Sequence, residues 1–99
     1  MLKQTMLYSG RIWINKLDAL VGKARNGRYY RKYRLIENGK FHTLTVFANK
    51  ASELFSLPDT MVVRKLPVTP STYKTDKENE VLVFSTELSD LLIACMRKQ

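Results

Sequence analysis

The stretch Phe41-His42-Thr43-Leu44-Thr45-Val46-Phe47 follows the turn-forming dipeptide Asn38-Gly39 and decides how this chain folds. Successive side chains of a β-strand point to opposite faces of the sheet. The even positions, which are mostly apolar, therefore form an ordinary core face. The odd positions place Phe41 and Phe47 on the face that normally meets water, with threonines between them. Two large aromatic rings on an open face are what unpaired nucleic acid bases stack on.

Asn-Gly dipeptides mark both ends of the preceding strand. Asn26-Gly27 and Asn38-Gly39 tolerate the positive φ angles of type I′ turns, so each predicts a tight hairpin. A β-prone segment at residues 5–14 precedes the first of them. The sequence therefore predicts a three-stranded antiparallel arrangement, with residues 28–37 and 40–47 as the second and third strands.

The rest of the chain predicts a short helix, two strands and a terminal helix. Helical spacing of apolar residues before a proline indicates the short helix within residues 48–57. Residues 61–66 and 80–84 predict the fourth and fifth strands, joined by a polar loop over residues 67–79. A C-terminal helix is expected at about residues 86–97. Its apolar stripe consists of Leu88, Leu91, Leu92 and Cys95.

This order of elements predicts an all-β to α+β fold class. A short helix between strands 3 and 4 of a five-stranded antiparallel barrel, followed by a C-terminal helix, fits the OB-fold. We therefore expect a single OB-fold domain over residues 1–99, with the barrel at about residues 5–85. An SH3-like barrel and a small unrelated α+β sheet are the alternatives.

The formal net charge of +8 is concentrated between residues 23 and 34, where no acidic residue occurs. Tyrosines are interleaved with the cations, and this combination suits a groove for a phosphate backbone. A polyanionic partner is indicated, with nucleic acid preferred to an anionic membrane surface. The alternative is that the charge serves solubility alone. The cations of this segment are Lys23, Arg25, Arg28, Arg31, Lys32 and Arg34.

Several classes of protein are not expected. One cysteine and one histidine allow neither an internal disulfide nor a structural zinc site. No nucleophile with a paired base and no phosphate-cradling glycine loop are evident, so we expect no enzyme and no cofactor. No apolar run is long enough to cross a bilayer, and the first residues lack a secretory layout. We therefore expect a cytoplasmic protein.

With these features the chain resembles the bacterial and phage single-stranded DNA-binding proteins. Their third strand has the style Trp-His-x-Val-x-Phe-x-Lys-Leu-Ala-Glu and runs into a short helix. Residues 41–47 followed by Lys50-Ala51-Ser52-Glu53 are similar, with Phe41 in place of the tryptophan. Asn26-Gly27 and the alternating strand after it also look like that family's second strand. The resemblance covers roughly residues 6–84.

The resemblance implies an OB-fold protein that binds single-stranded DNA without sequence preference and protects it in replication or recombination. Phe41 and Phe47 match the positions whose rings stack on bases, and Tyr73 falls near the aromatic of the loop between strands 4 and 5. The family's long acidic tail has no counterpart after Gln99. Recruitment of repair enzymes by that route is therefore not expected. The short length suits a phage or mobile element, so the setting would be a bacterial cell or phage-infected host.

We expect phosphates to follow a cationic channel while bases stack on the rings. Strand parity places Tyr30 on the DNA-facing side and Tyr33 inside, although one bulge would reverse this. Arg31 then points inward, which a bulge or a strand-end position would relieve. Trp13 could anchor the core or add a stacking ring, and we favour the core. The predicted nucleic-acid-binding residues are Lys23, Arg25, Arg28, Tyr30, Lys32, Arg34, Phe41, Phe47 and Tyr73.

Other interpretations stay open. Phe41 and Phe47 could instead fill a second core under the C-terminal helix or a subunit interface. The protein would then be an OB-fold protein-interaction module, and an RNA-binding accessory of a replication complex is a further alternative. The C-terminal stripe could pack on its own barrel or drive a homo-oligomer. A homo-oligomer, a dimer or tetramer, is what we expect.

Overall fold

A ring of β-strands with a short helix at its C-terminal end is seen in the computed structural model, which describes residues 4–14 and 20–96. Alternating apolar residues form the strands, and Gly27, Gly39 and Pro58 lie in three of the connections between elements. In chain order the elements are β1 Met6–Trp13, β2 Gly22–Lys23, β3 Tyr29–Glu37, β4 Lys40–Ala48, α1 Ala51–Phe55, β5 Thr60–Lys74, β6 Glu80–Glu87 and α2 Leu88–Met96.

The strands pair in the order β1-β5-β6-β4-β3-β2, and β1 also meets β3 where Trp13 lies opposite Arg34. That second pairing turns the sheet into a ring. Neighbours are antiparallel except β4 and β6, which run parallel. β6 lies between β5 and β4 and pairs with the edge of β4 that β3 does not occupy. The prediction of a mostly β domain with a short C-terminal helix is confirmed.

The interior of the ring is filled by alternate residues of the strands. Tyr33 and Leu35 of β3 are buried as predicted, and they pack in one cluster with Leu44 and Val46 of β4. Burial of this continuous apolar surface is the main force that favours the folded state. Other members of the cluster are Ile12, Leu54, Val63, Leu66, Val68, Phe84 and Leu91.

The C-terminal helix covers the core with a slightly different stripe from the predicted one. Leu88, Leu91 and Ala94 are buried, whereas Leu92 is 47% exposed. The contact positions are three residues apart, so the helix turns Leu92 away from the ring. α2 begins at Leu88, later than expected, because β6 continues through Glu87. Residue 97, included in the predicted helix, lies outside the described residues. None of the helices in the described ranges is long and apolar enough to cross a membrane.

Two expectations about element order are wrong. The two-residue strand β2 was not predicted, so α1 lies between the fourth and fifth strands instead of the third and fourth. The predicted loop over residues 67–79 is strand as far as Lys74, and only residues 75–79 form a turn. β5 pairs with β1 up to Val68 and with β6 from Thr69 onward. Pro67 and Pro70 therefore lie where β5 is paired along one edge only, which is where a strand tolerates proline.

Arg31 points inward as predicted, but neither a bulge nor a strand end relieves it. Its Nη1 donates to the carbonyl oxygens of Leu54 (3.0 Å), in the last turn of α1, and of Leu57 (3.1 Å), two residues beyond the helix. Its Nη2 lies 3.4 Å from Asp59 Oδ1. The last carbonyls of a helix have no partner within the helix. The Leu54 carbonyl also accepts from the Leu57 N–H, so the buried guanidinium adds a second donor there and supplies the donor for Leu57.

Tyr33 fixes the next part of the same segment. Its hydroxyl donates to the Pro58 carbonyl at 2.8 Å while its ring is fully buried. Burial raises the pKa of Tyr33 to about 12, and the nearby Arg31 charge opposes that rise. Arg31 and Tyr33 together attach the turn after α1 to the inside of β3.

Replacing Arg31 with leucine should destabilise the fold by on the order of 2 kcal/mol, because the Leu57 carbonyl would lose its donor and the Leu54 carbonyl would keep only the Leu57 N–H. Urea unfolding measures the change. Lys32→Ala, one residue away on the exposed side of β3, is the matched control and should change stability by less than ~0.5 kcal/mol. Equal stability of the two variants would contradict the role assigned to Arg31.

Tyr33→Phe should cost about 1 kcal/mol at neutral pH, because the Pro58 carbonyl loses its donor. The folded pKa of Tyr33 lies above its ordinary value of 10.0. Its stabilisation is therefore complete below pH 10 and is lost as the pH rises through about 12. The advantage of the wild type over Tyr33→Phe, measured by urea unfolding, should shrink across that interval. A constant difference would show that the hydroxyl is not buried.

Candidate nucleic-acid interface

The outward side of β3 and β4 forms one continuous surface, which we call the outer wall. Residues 29–37 pair with residues 40–48 without interruption. Side chains in register share a face of the sheet. Since Tyr33, Leu35, Leu44 and Val46 are buried, the intervening positions face outward. The outer wall consists of Tyr30, Lys32, Arg34, Ile36, Phe41, Thr43, Thr45 and Phe47.

Aromatic rings lie at both ends of the outer wall. Tyr30 is opposite Phe47 at one end, with ring centroids 6.2 Å apart and planes at 60°. Phe41, which is 61% exposed, meets Trp13 edge to face at the other end, with centroids 5.8 Å apart. At the ~3.3 Å rise of a strand, Phe41 and Phe47 are about 20 Å apart. The wall therefore carries two separate aromatic clusters.

Lys32 and Arg34 lie between these clusters. Each is in register with a threonine of β4, Thr45 and Thr43 respectively. Neither takes part in the ion pairs found among the described residues. Lys32 Nζ lies 6.0 Å from the centroid of the Tyr30 ring, a cation–π distance. No carboxylate within residues 4–14 and 20–96 compensates this positive charge beside the aromatic surface.

Arg28 is held differently, because it reaches over Phe47 to Glu87. Its Nη2 and Nη1 donate to the two carboxylate oxygens at 2.6 Å and 2.8 Å. Its Nε donates to Asn49 Oδ1 at 3.2 Å, and its guanidinium carbon lies 5.9 Å from the Phe47 ring centroid. Phe47 is therefore less open than Phe41. Arg28, which was predicted to contact phosphate, is therefore bound to the Glu87 carboxylate of the same chain.

The Arg28–Glu87 hydrogen bonds shift the pKa values of both residues. They lower the pKa of Glu87 below its ordinary value of 4.5 and raise the pKa of Arg28. Because the folded pKa of Glu87 is depressed, the pair adds stability at pH values above the ordinary pKa. That stability is lost as the pH falls through the lowered pKa. The pair is fully formed at neutral pH.

Besides Arg28, three predicted site residues lie off the outer wall. Lys23 is in register with Tyr29 and so points to the opposite side of the sheet from Tyr30. Arg25 lies in the exposed turn before β3. Tyr73, expected in a loop, is on β5 opposite Val81 and is 53% exposed. It faces the same way as the wall but is two strands away from β4.

Trp13 lies beside the outer wall, so the expectation that it anchors the core is wrong. Ile12 next to it is fully buried, and alternation turns Trp13 outward. The pairing with Arg34 brings the indole against Phe41. Its N–H donates to no acceptor in the part of the chain that the structure describes. The signal in the sequence for this outward position is that Trp13 directly follows the apolar Ile12, so the two side chains face opposite sides of the strand.

Gly22 makes room for Tyr30. The two residues are in register, and a Cβ atom built on Gly22 would lie 2.4 Å from Tyr30 Cζ. No side chain fits there while the ring keeps its place. Tyr30 therefore lies across β2 on one side and against Phe47 on the other. The lack of a side chain at Gly22 positions this aromatic cluster.

In comparisons with known proteins, no protein-family model, no curated protein and no solved structure matches this chain. The described residues also contain no group of three or more His, Cys, Asp or Glu that could hold a metal ion. The geometry of the outer wall is therefore the basis for a proposed function.

Gly22→Ala should displace the Tyr30 ring and weaken the fold, because the new methyl group overlaps that ring. In a Tyr30→Ala background the same substitution should be neutral or slightly stabilising, since the ring is gone. Urea unfolding of the two single variants and the double variant gives the coupling energy, expected at about 1 kcal/mol or more. Additive effects would mean that Gly22 does not position Tyr30.

Proposed function

We propose that this protein binds single-stranded nucleic acid, DNA in particular, on its outer wall and without sequence preference. One observation carries the proposal: aromatic rings lie at both ends of the wall, with two cations between them. Phe41 is exposed, whereas Tyr30 and Phe47 are partly buried. Lys32 and Arg34 have no carboxylate partner among the described residues. Such a surface combines a stacking platform with phosphate contacts, and both are insensitive to base identity. In this role the protein would coat and protect exposed strands during replication or recombination.

We also propose that the ring of strands is an OB-fold. The long strands β1, β3, β4, β5 and β6 supply the five members of a partly open barrel, with β2 as an added edge. In OB-folds the face of the second and third long strands binds oligonucleotides. Those strands are β3 and β4 here, which supports the same surface as the binding face.

Each part of the wall has a defined task in this proposal. Phe41 with Trp13, and Tyr30 with Phe47, would each receive a base on an aromatic face. A stacked base contributes roughly 1–3 kcal/mol. Lys32 and Arg34 would contact the backbone that links the two bases, which are separated by the length of β4. The threonines between the rings have small side chains, so they would not obstruct a nucleic acid strand that runs from one aromatic cluster to the other.

A protein-interaction module is the second candidate, and the surface around α2 favours it. Leu92 and Ile93 are exposed on the helix, beside a groove of about 600 Å³ lined by Leu57, Met61, Val62 and Cys95. An apolar patch of this kind is typical of a docking site. A second copy of the chain would also fit the expected homo-oligomer. Sedimentation of Leu92→Asp against the wild type tests that part separately.

The binding proposal predicts that Phe41→Ala weakens association with an oligo-dT strand by roughly 1–3 kcal/mol, because one stacking ring is lost. Anisotropy of a labelled oligonucleotide measures the affinity. The matched control is Phe55→Ala, because Phe55 is equally exposed but lies on α1. Its affinity should equal that of the wild type. The fluorescence of Trp13, the only tryptophan, should be quenched by the bound strand.

Salt dependence tests the cationic part. The logarithm of the binding constant should fall linearly with the logarithm of salt concentration, and Lys32→Gln should reduce the slope by about 0.7. Phe41→Ala should leave the slope unchanged, because it removes no charge. Absence of oligo-dT binding at low salt would overturn the proposal and favour the interaction module. Tighter binding of an RNA strand of equal length would assign the wall to RNA.

A further inference from the structure

Arg28 and Glu87 form a two-bond pair at the end of the outer wall that carries Tyr30 and Phe47. Phosphate accepts from a guanidinium in the same two-bond geometry as a carboxylate. Asn49 holds Arg28 Nε from the other side, so the two terminal nitrogens keep their direction when Glu87 leaves. The arrangement is that of a preformed oxyanion site with the chain's own carboxylate in it.

We propose that a backbone phosphate of the bound strand replaces the Glu87 carboxylate on Arg28, so that Glu87 is a stand-in for phosphate in the free protein. This inference rests on the proposed function. A nucleotide stacked at Phe47 would have its phosphate within reach of Arg28, since the guanidinium lies over that ring. The side chains of Arg28 and Glu87 are 31% and 47% exposed, so a phosphate of the strand can reach the pair from solvent and compete for the guanidinium. Phosphate can therefore displace the carboxylate.

Arg28 differs from the other cations of this region. Arg31 is buried on carbonyl groups of the α1 segment and cannot exchange its partners without unfolding. Lys32 and Arg34 have no carboxylate to lose among the described residues. Arg28 alone among these four combines access from solvent with an internal competitor. Glu87 would therefore set how tightly this end of the wall holds a strand.

Glu87→Gln removes the competing charge and should tighten oligo-dT binding by about threefold to tenfold. The salt slope should become steeper by about 0.7, because the wild-type Glu87 carboxylate, once displaced, takes up a cation that offsets the one released by the phosphate, and glutamine does not. The matched control is Asp76→Asn, which makes the same change in net charge in the exposed turn at the other end of β6. Its affinity should stay within about twofold of the wild type. Equal affinities of Glu87→Gln and the wild type would overturn the inference.

A second pair of variants separates exchange at Arg28 from a general charge effect. In an Arg28→Ala background, Glu87→Gln should bring no gain in affinity, because the guanidinium that phosphate would take is absent. Arg28→Lys should recover little of the gain, since an ammonium cannot make the two-bond contact. A gain that persists in the Arg28→Ala background would overturn the inference.

Titration with inorganic phosphate keeps this inference distinguishable from the function it rests on. The Arg28 Nε–H resonance of Glu87→Gln should shift and saturate, and the wild type should need a higher phosphate concentration. A phosphate shift without any oligonucleotide binding would uphold the oxyanion site and overturn the proposed function. If the oligonucleotide binds but Glu87→Gln has no effect and phosphate shifts no resonance, the proposed function stands and the oxyanion site is overturned. Failure of both measurements would overturn both.

Discussion

Two polar side chains on the inner face of β3, Arg31 and Tyr33, fix the register of the strand. In this register the cations and rings of the outer wall face outward. Arg31 donates to the carbonyls at the end of α1, and Tyr33 donates to Pro58 in the turn that follows. A slip of one residue would turn every side chain of β3 to the opposite face. Lys32 and Arg34 would then be buried without acceptors, at a cost far beyond that of a lost hydrogen bond. The inner anchors and the outer cations are thus two consequences of one alternation.

The arginines of this short region have three different environments. Arg31 is a structural donor inside the protein, and Arg28 is bound to Glu87 over an aromatic ring. Arg34 is left without a carboxylate partner among the described residues and faces outward between the aromatic clusters. Net charge alone does not distinguish these environments. Burial and the distance to a carboxylate decide which cations remain available for phosphate.

Much of the wall could be predicted because its determinants are local. The Asn38-Gly39 turn sets the register of β3 against β4, and period-two alternation then places Tyr30, Phe41 and Phe47 on one face. Local signals did not place Tyr73, because the two prolines of β5 are typical of a loop. A strand tolerates proline where one of its edges is unpaired, and which edge is unpaired depends on the neighbouring strands. Local signals also did not place Trp13, whose surroundings depend on a single contact between β1 and β3.

Local sequence accounts for the mostly β architecture, the two sides of β3 and β4, and the cationic and aromatic character of the outer one. These follow from turn chemistry and periodicity, which act over a few residues. The tertiary structure was needed to show that β6 lies beside β4, that Glu87 thereby reaches Arg28, and that Gly22 makes room for Tyr30. The first two contacts join residues far apart in the chain, and the third depends on the short strand that pairs with the edge of β3. No local pattern encodes which strands become neighbours in the sheet.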